Sequence, residues 1–179
     1  MTSRRKVLLS MSVWASAGLT GCAVAPKPSS DQSRTYCLKV RRASRTVCVP
    51  DRIPSADAEA QAKRFDSAPG LLTVYVVRSS LFDSERLVSV TLNGTTRIGT
   101  LPNSLIRMRL TPSDHVIEFD WDGRKNRYVI HGSAGDVRFV DLTCSWFPFL
   151  PSYGWSDIDQ AGARVRARRS RLIADIQLA

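Results

Sequence analysis

Cysteine and histidine, two residue types that often act as nucleophiles, bases or metal ligands, are scarce in this sequence. It contains four cysteines and two histidines, His115 and His131. A cysteine nucleophile needs a neighbouring base, and Cys144 with His131 is the only sensible pairing. The segment "LTCSW" around Cys144 matches no peptidase signature, and no G-x-S-x-G nucleophile elbow occurs. A periplasmic thiol enzyme that uses Cys144 and His131 is therefore kept as an alternative.

The two histidines could instead belong to a small-ligand or metal-binding module. A hairpin that turns at Asp122-Gly123 would place His115 opposite His131. Metal sites usually have three or four ligands at characteristic spacing, and two histidines at the open end of a hairpin are more typical of a surface. We therefore predict no catalytic residue, no metal and no cofactor, and the histidine module remains a second alternative.

The amino end carries a different kind of chemistry. Basic residues 4–6 precede a mostly apolar run, residues 7–19, in the order of an export signal. The run is shorter than the roughly 20 residues that a membrane-spanning helix needs. It ends in "LTGC", residues 19–22, which resembles the lipobox of bacterial lipoproteins. The resemblance implies cleavage before Cys22, a diacylglycerol on its thiol and acylation of the new amino terminus by a chain such as palmitate.

The residue after the lipobox and the net charge restrict the predicted location of the protein and its predicted partners. Ala23 rather than Asp follows Cys22, which in enteric lipoproteins favours the outer membrane, facing the periplasm. The stretch "SRRKVLL" resembles a twin-arginine signal, so the general and the twin-arginine export routes both stay open. The formal net charge is +10, which suits an anionic lipid or polymer, or an envelope protein, as partner; nucleic acid is excluded outside the cytoplasm.

The cysteines beyond Cys22 are expected in an oxidising compartment, where they pair. The segment "YCLKVRRASRTVCV" alternates on both sides of a polar centre, which predicts a hairpin with Cys37 opposite Cys48. A disulfide between them would leave Cys144 odd, and a cysteine of this kind is often buried. All three pairings remain open on spacing alone.

The middle of the chain is predicted to be a β domain. Apolar residues recur with a period of two in about seven short segments between Leu71 and Leu142. Turn signals, of which Asn93-Gly94 and Asp122-Gly123 are the strongest, separate them every 8 to 12 residues. This spacing favours an antiparallel β-sandwich over a parallel sheet. A short helix capped by Ser55 should precede it.

This β region resembles an uncharacterised domain family of bacterial envelope lipoproteins that is similar to the small PEGA-type domains. The stretches that carry the likeness are "LLTVYVVR", "VTLNGTTRIGTL" and "RMRLTPSDHVIEF". The family commonly has Pro-Gly in the last turn, whereas this chain has Pro112-Ser113. The resemblance implies an Ig-like or PEGA-like sandwich and an envelope address, and it implies no reaction.

Two features after the strands are candidate contact surfaces. The segment "CSWFPFLPSYGW" is predicted as an aromatic loop, residues 146–155, which could bind a partner, meet lipid headgroups or pack in the core. Its candidate contact residues are Trp146, Phe147, Tyr153 and Trp155. Ser156 should then cap a C-terminal helix, with apolar residues at helical spacing as far as Ile176. Its arginine stripe is either a solvated face or a site for anionic lipid or polymer, and comprises Arg164, Arg166, Arg168, Arg169 and Arg171.

The sequence thus predicts a mainly β, membrane-anchored envelope lipoprotein that binds or supports another envelope component and is not an enzyme. The predicted segments are a signal peptide (1–21), a lipidated flexible tether (22–35), a cysteine hairpin with a short helix (36–69), the β-sandwich domain (70–145), and the aromatic loop with a basic helix (146–179).

Overall fold

The apolar alternation of the middle of the chain folds into strands, as predicted. The structure, a computed structural model, describes residues 35–40, 45–79, 86–146 and 151–178. The described elements are β1 (Cys37–Lys39), β2 (Thr46–Cys48), α1 (Ala56–Ala62), β3 (Leu72–Arg78), β4 (Val88–Leu92), β5 (Thr96–Thr100), β6 (Ser104–Leu110), β7 (His115–Trp121), β8 (Arg124–Ile130), β9 (Val137–Trp146), β10 (Pro151–Asp157), α2 (Gln160–Arg169) and β11 (Arg171–Leu178). They all belong to one compact unit, Asp31–Ala179.

The strands form three sheets. A five-stranded sheet has the order β10-β9-β3-β6-β11, a four-stranded sheet has the order β5-β4-β7-β8, and β1 pairs with β2. The larger two sheets contribute to one apolar core, with β4 and β7 supplying Val90, Leu92, Ile117 and Phe119 from the smaller sheet. The fold is therefore mainly β and sandwich-like.

The central strand β3 is buried along its whole length. Val74 and Val76 face the core between the sheets, whereas Tyr75 and Val77 face a second apolar cluster on the other side. That second cluster is made with the two helices, through Ala62 and Phe65 of the α1 region and two alanines of α2. The five-stranded sheet is thus covered on both faces, which explains why "LTVYVVR" is a nearly continuous apolar run.

The prediction of a purely antiparallel sandwich is wrong for the five-stranded sheet. β9 lies parallel to β3, and β11 lies parallel to β6. The reason is that the turn after β8 leads into the other sheet instead of closing a hairpin. Later, α2 carries the chain from the edge strand β10 to the opposite edge, where β11 joins. Parallel pairs require such crossover connections. The four-stranded sheet is antiparallel throughout, as predicted.

Turn chemistry sets the hairpins. Asn93 and Asp122 have φ of 50° and 52°, and the glycines that follow them have φ of 71°. At Asp122-Gly123 this gives the two-residue type I′ turn that suits twisted antiparallel strands, whereas the Asn93-Gly94 loop has three residues between the partners Leu92 and Thr96. The Asp122-Gly123 turn pairs Trp121 with Arg124, so His115 lies opposite Ile130. The predicted pairing of His115 with His131 is therefore wrong by one residue.

The cysteine hairpin is confirmed. Cys37 and Cys48 are register partners in the β1–β2 pair and form a disulfide. The flanking backbone hydrogen bond from Val49 N to Tyr36 O leaves the cysteines in a non-hydrogen-bonded pair, in which side chains approach most closely. Tyr36 also donates to Pro102 O at 2.7 Å, which fastens this hairpin to the rest of the molecule.

Candidate functional site

The two helices lie on the same face of the five-stranded sheet and form one layer. Their inward residues are small or aromatic: Ala163 and Ala167 of α2 share a buried cluster with Phe65, and Phe65 packs edge-on against Tyr75 at 5.2 Å. The outward side of this layer is basic. We call it the basic helical face, and its members are Lys63 and Arg64, which follow α1, the α2 residues Arg164, Arg166, Arg168 and Arg169, and Arg171, the first residue of β11.

The bounds of α2 differ from the prediction at both ends. The strand β10 continues to Asp157, so Asp159 and not Ser156 is the N-cap, and its carboxylate accepts from Gly162 N at 2.9 Å. The helix ends at Arg169 because Ser170 is extended, with φ of −89° and ψ of 150°. Residues 171–178, predicted as helix, form β11. The apolar contacts of α2 are made by its alanines, while Val165 is 49% exposed.

Several cations of the basic helical face interact with an aromatic ring or with carboxylates of the protein. The Arg164 guanidinium lies 5.7 Å from the centre of the Phe65 ring. Glu59 of α1 receives two ion pairs, from Lys63 and from Arg171, each at 2.6 Å. Arg166 is paired with Asp141 of β9. These interactions orient the helices. Part of the predicted arginine stripe therefore has a structural role.

Three arginines of this face are not held in this way. Arg64, Arg168 and Arg169 are exposed, and among the described residues no carboxylate oxygen lies within 4.0 Å of them. Arg64 precedes Phe65, which shares a buried apolar cluster with residues of both helices and lies under the Arg164 guanidinium, so Arg64 belongs to the same layer as the two α2 arginines. The contribution of α1 was missed in the sequence because Lys63 and Arg64 are explained equally well as cations near a helix C-terminus.

A buried carboxylate lies beneath α2. Asp141 has a fully buried side chain, and Arg166, whose side chain is 48% exposed, donates to its Oδ2. Its Oδ1 has no hydrogen-bond partner among the described residues. Burial raises the pKa of Asp141, and the charge and hydrogen bond of Arg166 oppose that increase. The pair therefore pins α2 to the sheet while the carboxylate stays poorly solvated.

The predicted aromatic loop is largely strand. Tyr153 is 5% exposed, and its ring lies 4.4 Å from that of Trp121. Its hydroxyl accepts from the buried Arg78 at 3.0 Å. Trp155 packs on Phe119 at 5.1 Å, so both predicted contact residues serve the core. Trp146 ends β9, and Phe147 lies outside the described residues.

The residues of the two alternatives are not brought together. His115 is 6% exposed, with Asn93 Nδ2 3.0 Å from its Nδ1 and Thr111 O 2.8 Å from its Nε2. His131 is exposed and lies 2.7 Å from Asp114. Cys144 is half-buried on β9. On β9 the groove beside His131 is lined by residues 137–140, and Val140 is four residues before Cys144, which corresponds to about 13 Å along a strand.

The structure also bears on metal binding and on membrane-spanning helices. Within the part of the chain that the structure describes, no three residues of the types His, Cys, Asp or Glu are grouped so as to hold a metal ion. The described helices, α1 and α2, are too short and too polar to cross a bilayer. Cys22 and the predicted signal lie outside the described residues.

Comparison with known proteins gives no family. No family model matches the chain, and no protein of curated function shows significant similarity to it. The basic helical face therefore has to be interpreted from its own chemistry.

Proposed function

We propose that this protein is a non-enzymatic lipoprotein of the bacterial envelope whose basic helical face binds an anionic component of that envelope. The observation that carries the proposal is the group of three exposed arginines, Arg64, Arg168 and Arg169, which lack a carboxylate among the described residues. Guanidinium groups bind phosphate and carboxylate through paired hydrogen bonds. A layer that leaves three of them solvated, while Lys63, Arg166 and Arg171 are paired with carboxylates, suits an extended anionic surface.

The lipid anchor on Cys22 is part of the proposal and is supported by the sequence, through the basic residues, the apolar run and "LTGC". The disulfide Cys37–Cys48 fits an oxidising compartment such as the periplasm. The anchor would hold the protein on the outer membrane, facing the periplasm, and so keep the basic helical face within reach of anionic lipid or polymer.

The finer fold type also belongs to the proposal. We place the β region with the Ig-like and PEGA-like sandwiches of the lipoprotein domain family. In support, "VTLNGTTRIGTL" contains the β4–β5 hairpin with its turn at Asn93-Gly94, and "RMRLTPSDHVIEF" contains parts of β6 and β7 joined by a turn. The parallel strands β9 and β11 extend beyond that simple pattern.

Sedimentation with vesicles tests the binding. The purified domain, residues 35–179, is mixed with vesicles that contain phosphatidylglycerol, or only zwitterionic lipid. A triple variant, Arg64→Gln/Arg168→Gln/Arg169→Gln, should bind the anionic vesicles roughly 100-fold more weakly, at about 1 kcal/mol per cation. The matched control carries three neutralisations on the distant edge strand β8: Arg124→Gln, Lys125→Gln and Arg127→Gln.

The control should bind as the wild type does, and added salt should weaken the binding of the wild type to anionic vesicles. If both triple variants lose the same affinity, the binding follows net charge and the basic helical face has no special role. Fractionation of the full chain beside Cys22→Ser tests the anchor separately, because only the wild type should gain acyl mass and sediment with the outer membrane.

A further inference from the structure

A polar pocket of about 220 Å³ lies under the connection between α1 and β3, on the helix-side face of the five-stranded sheet. Its polar lining residues are Gln61, Asp66, Ser67, Thr73, Arg107 and Arg109. None of the three arginines of the proposed surface lines this pocket, so its role can be tested independently of the proposed function.

Two buried polar atoms of this lining have no hydrogen-bond partner among the described residues. They are Thr73 Oγ1 and Arg109 Nε. Thr73 and Arg109 are register partners on β3 and β6, so they lie side by side on the sheet. Thr73 is fully buried. Buried donors that lack a partner are rare in folded proteins, and a pair of them in one pocket calls for a ligand or an ordered water.

The charge of Arg109 is only partly compensated. Asp175 of β11 is held by Arg107, with Nε–Oδ1 at 2.9 Å and Nη2–Oδ2 at 2.6 Å. The contact from Arg109 Nη2 to Asp175 is longer, at 3.4 Å. The hydrogen bond that Arg107 donates to Asp175 raises the pKa of Arg107, which keeps that guanidinium charged despite its burial. Arg109 therefore retains hydrogen-bonding capacity toward the pocket.

We infer that this pocket binds the oxyanion group, carboxylate or phosphate, of a small ligand. Arg109 supplies charge and an unused N–H, the Thr73 hydroxyl supplies a second donor, and Ser67 and the Gln61 amide supply further polar groups at the rim. All of these can donate to an acceptor oxygen, and an anion is the ligand that such a donor set selects. Asp66, exposed on the lining, disfavours highly charged anions over a monoanion.

Titration of the folded protein with acetate and with inorganic phosphate tests the inference. Amide chemical shifts and the melting temperature are followed at constant ionic strength, with chloride as reference. We expect shifts confined to α1, the 66–73 segment and β6, and a rise in melting temperature that saturates. The anion that binds more tightly identifies the ligand group.

Two variants separate binding from folding. Thr73→Val keeps the side-chain shape and removes the unpartnered hydroxyl, so it should raise the melting temperature without ligand yet weaken anion binding about 5- to 10-fold. Arg109→Lys keeps the charge but loses the planar guanidinium with its paired N–H donors, and it should weaken binding at least about 10-fold. Arg124→Lys on β8 is the control and should bind normally. Chemical shifts that do not respond to either anion beyond the chloride reference, or variants that bind as the wild type does, would mean that water alone fills the pocket.

Discussion

Substitution of Arg166 should destabilise the protein in a manner that depends on pH. Arg166 is the single described partner of the Asp141 carboxylate, which is fully buried between β9 and α2. Arg166→Ala leaves a buried negative charge without compensation at neutral pH. The carboxylate can escape that penalty only by taking up a proton or by pulling water beneath α2.

The size of this loss of stability follows from the solvent exposure of the Asp141 and Arg166 side chains. Breaking a buried ion pair typically costs 3–5 kcal/mol, because the remaining charge is desolvated. Here the side chain of Asp141 is 0% exposed and that of Arg166 is 48% exposed, so water already screens one partner. We therefore expect a loss of about 2–3 kcal/mol in the free energy of unfolding at pH 8.

The sign of the pH dependence follows from the raised pKa of Asp141. Burial favours the protonated acid in the folded state, so the penalty is present above the folded pKa and disappears below the unfolded value of 3.8. Arg166→Ala removes the group that opposes this increase, and its penalty should shrink to less than about 1 kcal/mol near pH 4.

Urea unfolding of the two proteins at several pH values between 4 and 8 measures this. Arg168→Ala is the matched control on the same helix and should change stability little at any pH. Asp141→Asn/Arg166→Ala should recover most of the loss, since no buried charge remains. If Arg166→Ala costs the same at pH 4 as at pH 8, or if the double variant is no more stable than Arg166→Ala, the Asp141 charge is not the cause.

Three further outcomes are expected. Replacing Cys37 and Cys48 by serine should lower the free energy of unfolding by about 3 kcal/mol relative to the oxidised wild type, as measured by urea titration, and the reduced wild type should match the variant; a midpoint equal to that of the oxidised wild type would contradict the chain-entropy argument. Burial and the hydrogen bond to Asp157 raise the pKa of Tyr128 to about 12, so an absorbance titration should show a tyrosine that ionises near that pH and that ionises earlier in Asp157→Asn. Because the fold favours the neutral phenol, stability should fall as the pH rises from 10 to 12. Gly132→Ala would place its Cβ 2.4 Å from a buried leucine methyl and should cost about 1–3 kcal/mol, whereas a melting temperature equal to the wild type would show that this contact yields freely.

The strands and turns of the middle of the chain could be predicted because the signals are local. The face of β4 that carries Val88, Val90 and Leu92 is buried, as alternation predicts. The same parity would have placed His115 inward with Ile117 and Phe119 on β7, and that signal was available in the sequence. The disulfide was also local, since both cysteines lie in one short hairpin.

The elements at the carboxyl end were harder to predict from the sequence because their structure is set by partners that are distant along the chain. Leu172 and Ile176 are four residues apart, which fits a helix, yet pairing with β6 makes this segment a strand. Arg107 alternates with the apolar residues of β6, a pattern typical of a solvated strand face, but it is 6% exposed and paired with Asp175, far along the chain. No periodicity in the sequence indicates such a contact, nor that α1 lies beside α2.

The parallel pairing of β11 with β6 also has a consequence for the order of assembly. The ion pair that joins them, between Arg107 and Asp175, spans 68 residues. Contacts of such range close large loops and form slowly compared with hairpins. A chain that emerges amino end first can complete the β4–β5 and β7–β8 hairpins early, but β6 keeps an open edge until residues 171–178 arrive. Until then the unfinished sheet offers a template to any extended neighbour, so a chaperone that shields nascent strands would act in this interval.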